Sequence, residues 1–248
     1  IGYKENIKDV TVEAGKATQV EFEMEESIIS SNAISVVASR AEFRETPVAF
    51  SNIVKQDLEM NLASRDIPMV LNETPGVYAT ESGGGYGDSR INLRGFDQRN
   101  VTVMINGVPV NDMENGWVYW SNWDGLSDVT SSVQVQRGLG AGKVASPSVG
   151  GTLNILTDAA EQKAGVKFRQ EYGSGNYLKS AIIANSGLND GLAFSFMAAR
   201  KTADGVIDKT WVDAWSYYYI RCSYTGPKLN TVLHISFVRS ANKRSDSA

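Results

Sequence analysis

The sequence predicts an α+β unit, a small mixed sheet with short helices, followed by a run of antiparallel strands. Three observations carry that expectation. Residues 90–112, RINLRGFDQRNVTVMINGVPVND, set apolar runs around Asn106-Gly107. Asn-Gly between apolar residues is the strongest short-range hairpin signal. Residues 133–157, VQVQRGLGAGKVASPSVGGTLNILT, give a strand, a Gly-rich crossover and a second strand. After Asp158 the grammar changes to segments of about ten residues that alternate apolar and polar.

Composition narrows the function classes. The net charge of −4 removes the basic face that a nucleic-acid binder needs. One cysteine, Cys222, excludes an internal disulfide and a cysteine-based zinc site, and one histidine, His234, leaves base-assisted nucleophiles hard to assemble. No run of about 20 apolar residues encodes a transmembrane helix, and a β-barrel would show none either. The chain opens on Ile1 without a signal peptide, so it reads as a fragment whose leader lies upstream.

The elements follow in order. Over residues 1–26, Val10, Val12, Val20, Phe22 and Met24 alternate with polar residues around a turn at 13–16. This is either the tail of a small β-sandwich or a solvated edge hairpin. A linker with a strip, AISVVASR, fills 27–44. A short β-capable strip on a tether can add itself to a partner's sheet edge, or it can be the first strand of the next domain. That domain spans 45–158. It should open with a strand at 48–54 and a helix near 64–72, capped by Ser64 or Asp66 with Pro68 in its first turn. Thr74-Pro75-Gly76 stops the helix. Extended residues 77–79, a Gly-rich loop at 82–89 and the strands at 91–94 and 101–105 come next. Residues 111–125 form a polar, aromatic loop with three of the five tryptophans, and strands at 133–136 and 152–157 close the unit.

Residues 164–240 read as five strands. Val166, Phe168 and Tyr172 oppose Lys167, Arg169 and Glu171; Leu192, Phe194, Phe196 and Ala198 share a face, as do Thr231, Leu233, Ile235 and Phe237. The separators are 173–176, 187–191, a longer loop over 201–213, and 225–227. Trp211, Trp215, Tyr217, Tyr218, Tyr219 and Tyr224 suit an interfacial aromatic girdle. Periodicity alone leaves two readings open, a transmembrane wall with an apolar lipid face or a soluble sheet with one wet face. The tail at 241–248 is polar and loses alternation, as if cut or frame-shifted.

Familiar motifs fail on inspection. Residues 138–143 are not a phosphate loop, because Arg137 and Val144 stand where Gly and Ser or Thr are required. Residues 83–87 are not a dinucleotide fingerprint. Asp112, Glu114, Asp124 and Asp128 lack the central glycine of a calcium loop and read as solvated loop acids. A glycan hydrolase built on Asp112 and Glu114 would lack a defined acid–base partner, so an enzyme is not expected.

Taken together, residues 33–157 resemble the plug domain of TonB-dependent outer-membrane receptors of the Bacteroidetes type. AISVVASR is similar to the TonB box without its acidic leading residue. DIPMVLNETPGVYA resembles the plug's helix-then-strand block. INLRGFDQRNVTVMINGVPVND is similar to the family's centre, with Asn106 for the usual Asp, and the block at 133–157 resembles its close, with Gln134 for Glu and Leu139 for Pro. The hairpin over 1–26 resembles the end of a carboxypeptidase-regulatory-like sandwich.

This resemblance implies the first strands of an incomplete transmembrane β-barrel at 164–240. Family walls have on the order of 22 strands, so five cannot close. It implies no catalysis, no cofactor and no bound metal. Ala33, Ile34, Ser35, Val36, Val37, Ala38 and Ser39 would pair in the periplasm with TonB and its inner-membrane energising complex. Turns at 187–191 and 225–228 would be periplasmic, and 201–213 extracellular. Cargo would meet Gly83, Gly84, Gly85, Tyr86, Asp112, Glu114, Trp117, Tyr119, Trp120 and Trp123, since aromatics beside polar groups suit chelates and sugars. The tryptophans could equally pack plug against wall. Arg94 and Arg137 would clamp the plug to carboxylates on the inner wall. The cargo would be a siderophore, a cobalamin-like cofactor or an oligosaccharide, with a surface lipoprotein as a further partner. The alternative is a surface binding or adhesion module without energised transport.

Overall fold

The computed structural model describes residues 2–3, 15, 26–27, 41, 48–62, 65–81, 86–138, 148–157, 159, 162–225 and 228–244, with side chains through residue 223. It divides into two units, Ile1–Ile34 and Ser35–Ala248. In the first, β1 (Gly2–Tyr3) pairs antiparallel with β2 (Glu26–Ser27). Val10, Val12, Val20, Phe22 and Met24 lie outside the described residues, as does the strip at 33–39.

The second unit begins with a mixed sheet. Its strands are β3 (Ala49–Val54), β7 (Val101–Ile105), β8 (Val108–Pro109), β9 (Ser132–Arg137) and β10 (Gly151–Leu156), in the order β3-β9-β10-β7-β8. The β10–β7 pairing is parallel and the rest are antiparallel. Every residue of β7 and β10 is buried, so the unbroken run VTVMI is a strand covered on both faces. Asn106 (φ 50) and Gly107 (φ 81) both take positive φ, the geometry of the tight turn between β7 and β8. The Asn106 amide then brackets Thr157, accepting from its N–H at 2.8 Å and donating to its Oγ1 at 2.7 Å. A smaller antiparallel sheet joins β4 (Val77–Thr80), β5 (Arg90–Leu93) and β6 (Phe96–Asp97).

The helices differ from expectation. The α-helix expected near 64–72 is α2 (Ile67–Val70), with Pro68 in its first turn, and it tightens into a 3-10 turn at Leu71–Glu73. Asp66 occupies the N-cap, but its carboxylate makes no capping bond; it reaches across the chain instead. Two helices had no clear signal, α1 (Lys55–Asn61) and α3 (Leu126–Val129). Each is too short to show a period, and only the i, i+4 pair Leu58 and Leu62 marks the buried side of the first.

A five-stranded antiparallel meander follows: β11 (Gly165–Gly173), β12 (Tyr177–Asn185), β13 (Leu192–Asp204), β14 (Thr210–Thr225) and β15 (Lys228–Arg244). The loop expected over 201–213 shrinks to 205–209. Lys201, Ala203, Val212 and Ala214 point inward and are buried, so the alternation continues through both flanks of the turn. The last strand runs to Arg244, past the point where apolar alternation ends.

The meander's polarity is inverted relative to a water-soluble sheet. Val166, Phe168 and Tyr172 face away from the mixed sheet and are 71, 68 and 79% exposed, with Leu178, Ile182, Phe194, Phe196, Trp211, Trp215 and Tyr217 also exposed. The inward face carries Lys179, Lys201, Ser195 and Ser216 among small apolar residues, all buried. Tyr218 belongs to this inward face, not to the girdle, and its hydroxyl lies 3.3 Å from Thr157 Oγ1. One contiguous apolar core holds Leu58, Leu71, Ile105 and Leu153 of the first part together with Ile183, Met197, Ile220 and Cys222 of the meander.

Candidate functional site

The site is built from the turn that follows the Gly-rich loop. Both oxygens of Asp66 accept the Gly87 N–H, at 3.1 and 2.9 Å, and one accepts the Ser89 hydroxyl at 2.7 Å. Burial pushes the Asp66 carboxyl above the usual range, with Ser89 and Lys201 pulling it partly back. Gly87 has φ +80, and a Cβ there would come within 2.7 Å of the Ser121 Cβ. The bare backbone lets the Gly87 carbonyl accept from Ser121 N–H at 2.9 Å. The turn is thus tied to the aromatic loop on one side and to α2 on the other.

Between turn and loop lies a groove of about 390 Å³, lined by Gly87, Asp88, Ser89, Arg90, Trp117, Val118 and Tyr119. The guanidinium carbons of Arg90 and Arg99 stand 5.4 and 5.2 Å from the centroid of the Trp117 ring. Tyr119 is half exposed, and its hydroxyl accepts from the Asn115 side chain at 2.9 Å. Arg99 lies outside the groove lining and is itself paired with Asp97 at 3.1 Å, so the groove offers the Arg90 guanidinium, an indole and a phenol beside the Asp88 carboxylate, suited to a solute with rings and polar groups.

The expected contact residues separate. Trp117 and Tyr119 line the groove, whereas Glu114 is exposed and is not among its lining residues. Asp112 turns inward on its own loop, accepting from the N–H groups of Glu114 and Asn115 at 2.9 and 3.0 Å. Trp120 is buried with its indole N–H on Gln98 at 3.3 Å, and Trp123 packs on the core, so these two rings are structural. Tyr86 faces the meander, stacked on Tyr177 at 6.1 Å with the Lys201 ammonium 5.3 Å from its ring. Gly83, Gly84, Gly85 and Ala33 through Ser39 lie outside the described residues. Arg90 and Arg99 were missed; the sequence signal was their place flanking the Arg94-Gly95 turn, opposite the aromatic loop.

The seat against the meander uses different charges from those expected. Asp128, with a side chain fully buried, meets Arg169 at 2.8 Å and Lys179 at 2.9 Å. Glu59 meets Arg169 at 2.6 Å and Lys167 at 3.0 Å, and Asp124 meets Lys201 at 2.7 Å. Desolvation opposes ionisation of Glu59, but Lys167 and Arg169 together hold its carboxyl below the usual range. Asp124 and Asp128 are therefore anchors, not solvated loop acids. The clue was a lysine recurring on the small-residue face of the strands. Arg94 and Arg137 lie side by side over Gly76. Arg137 donates to the carbonyls of Pro75 and Phe50 at 3.1 and 3.5 Å, and among the described residues neither arginine meets a carboxylate. A cavity of about 620 Å³ opens beside the ion pairs, between α1 and β11–β12.

Residues 42–152 match the family described as TonB-dependent Receptor Plug Domain. This chain carries the plug of a TonB-dependent receptor. The Vitamin B12 transporter BtuB of Vibrio vulnificus is 25% identical over 182 residues, covering 71% of this chain and 29% of that protein. The Ferric enterobactin receptor of Pseudomonas aeruginosa is 29% identical over 146 residues, 54% of this chain and 19% of its own. The chain thus spans less than a third of these relatives. The siderophore receptor PirA from Acinetobacter baumannii shares the fold at a TM-score of 0.56 and 21% identity, over 80% of this chain and 32% of that one. Fiu of E. coli K12 in its closed form gives 0.59 at 19% identity, over 79% of this chain and 26% of its own. The mixed sheet is the plug, the meander is barrel wall, and the place of the chain is the outer membrane. The exposed apolar residues of the wall then face lipid, as an outer-membrane strand requires.

Proposed function

We propose that this chain is the gating part of an energised outer-membrane importer. Solute binds from outside in the groove of Arg90, Trp117 and Tyr119. TonB then pairs with residues 33–39 in the periplasm as an added strand and draws on the plug, which gives way along its charged seat. The observation that carries this reading is the seat itself: a plug whose acids meet cations on the inner face of a wall that is apolar outside. Tyr86 packs against Tyr177, Ala203, Val212 and Ala214, which flank the turns at 174–176 and 205–209. Those turns face outward in this reading, and the turn at 186–191 faces the periplasm.

The Arg90 guanidinium beside an indole and a phenol favours a ring-bearing solute with anionic groups, such as a ferric siderophore, over a neutral oligosaccharide. The names of the relatives divide between ferric enterobactin receptors and vitamin B12 transporters, so the choice rests on the groove. The protein works as a transporter and not as an enzyme. The test is deletion of 33–39 in the receptor as it stands in its outer membrane. Uptake should vanish while solute binding persists; uptake unchanged by the deletion removes the importer and leaves a binding module.

A further inference from the structure

Among the described residues of the plug, three side-chain amides bracket backbone groups, Asn72 on Ala79, Asn111 on Val101 and Val103, and Gln134 on Ala41, and Asn106 brackets the N–H and hydroxyl of Thr157. The asparagines tie the plug to itself over a short span or between neighbouring strands. Gln134 holds the chain just after the strip at 33–39. Ala41 N–H donates to Gln134 Oε1 at 2.8 Å, and Gln134 Nε2 donates to Ala41 O at 3.0 Å. Both residues are buried. Ala41 lies outside any strand, so its buried backbone groups need partners, and one amide, a donor and an acceptor in one side chain, supplies both.

Gln134 is itself braced. Its Nε2 also reaches Asn52 Oδ1 at 2.8 Å, and its Oε1 accepts from Gln136 Nε2 at 2.8 Å. It stands on β9, which is paired on both sides, with β3 and with β10. Among the described residues, Ala41 is the first that a load arriving from residues 33–39 meets, ahead of β3, which begins at Ala49. Resting on the proposed reading of 33–39, we propose that Gln134 is the catch through which a pull on that strip first loads the plug sheet. While the catch holds, force passes to the middle of the sheet. Once it opens, the load passes on to β3 at Ala49, eight residues along the chain from Ala41. The catch is neutral, so its strength does not change with periplasmic pH.

The test is amide hydrogen exchange at Ala41 in the full chain held in lipid vesicles, comparing wild type with Gln134→Met and Gln134→Glu. Methionine keeps the shape and removes both bonds, and Ala41 exchange should rise about tenfold while Val135 and Leu153 amides stay protected. Glutamate can accept from Ala41 N–H but cannot donate to Ala41 O, and should give a smaller rise. Unchanged Ala41 exchange in Gln134→Met overturns the catch. Should either substitution unsettle β9, Asn52→Ala, at an exposed position, reads the same brace. A two- to threefold rise at Ala41 is expected there, and no change overturns the catch. Binding of the periplasmic domain of TonB to the same proteins separates the two claims. Faster Ala41 exchange without TonB binding sinks the transport reading alone, whereas TonB binding with Ala41 exchange insensitive to residue 134 sinks the catch alone.

Discussion

Asp66 shapes the groove from beneath and does so under strain of solvation. Burial raises its carboxyl above the ordinary aspartate value. A raised native pKa means that the linked stability is fully present below the unfolded value, near 3.9, and is lost as pH rises through the native value. Replacing Asp66 by Asn should therefore flatten the pH dependence of the melting temperature just above the carboxylate range, with wild type losing stability there as pH rises and the variant not. Asp66→Ala should cost about 1–3 kcal/mol by leaving Gly87 N–H and Ser89 Oγ without that acceptor, readable by denaturant melts. The tryptophans separate at the same scale. Trp117→Ala should weaken solute binding about tenfold, at 1–2 kcal/mol for lost ring and cation contacts, with little change in stability. Trp120→Ala should instead cost about 3–5 kcal/mol of stability. Fluorescence titration and thermal melts distinguish the two. All three tryptophans look alike in the sequence, because residue type records an aromatic and not the direction in which a loop turns it. Asp112 was misread for the same reason: its partners are N–H groups two and three residues away, invisible to side-chain pattern.

Elements carry the seat. Asp128 belongs to the four-residue helix α3 and faces two strands of the wall at once. Asp128→Asn would leave Arg169 and Lys179 without their shared charge and should destabilise the plug by about 3–5 kcal/mol, in the manner of any broken buried pair. Glu59, on α1, is the more exposed member of the seat. Its native pKa is depressed, so its contribution is present above the ordinary glutamate value and is lost as pH falls through the native one. Gly125 sets how closely plug and wall approach: a Cβ there would collide with Ser216 Oγ and lie 2.9 Å from Met197 Cε. Gly125→Ala should cost about 1–3 kcal/mol by overpacking and by its positive φ, and Ser216→Gly should restore part of it. The strands and the Asn106-Gly107 hairpin were legible because period two and turn chemistry are local. Helices α1 and α3 were not, since each covers two turns or fewer and forms because tertiary contacts bury Leu58, Leu126 and Val129. The ion pairs join residues between 41 and 110 positions apart, and no single-sequence pattern encodes which acid meets which lysine.

At the scale of the whole molecule, two surfaces with opposite chemistry meet one plug. The wall turns its large apolar residues to lipid and its lysines to the plug, and the exposed pair Arg200 and Asp213 over Trp215 suits the headgroup level at the upper margin of the apolar band. An arginine at Phe196 would sit within that band and should cost about 2–4 kcal/mol if it falls near the midplane, seen as reduced assembly into the outer membrane. The most direct test of the seated plug is a disulfide across its closest approach. An ideal Cβ on Gly125 stands 3.0 Å from the Ser216 Cβ, about half an ångström below the shortest separation a disulfide spans, so closing the bond needs a small outward shift of the loop. With Cys222→Ala as background, Gly125→Cys and Ser216→Cys should cross-link under mild oxidation in intact outer membranes, more slowly than a wall control, Ala181→Cys with Ala199→Cys, whose positions are strand partners, because a side chain at 125 is crowded. The cross-linked receptor should bind solute and fail to import it until reduced. A control pair that closes while the 125–216 pair stays open would show that the plug does not rest on this wall.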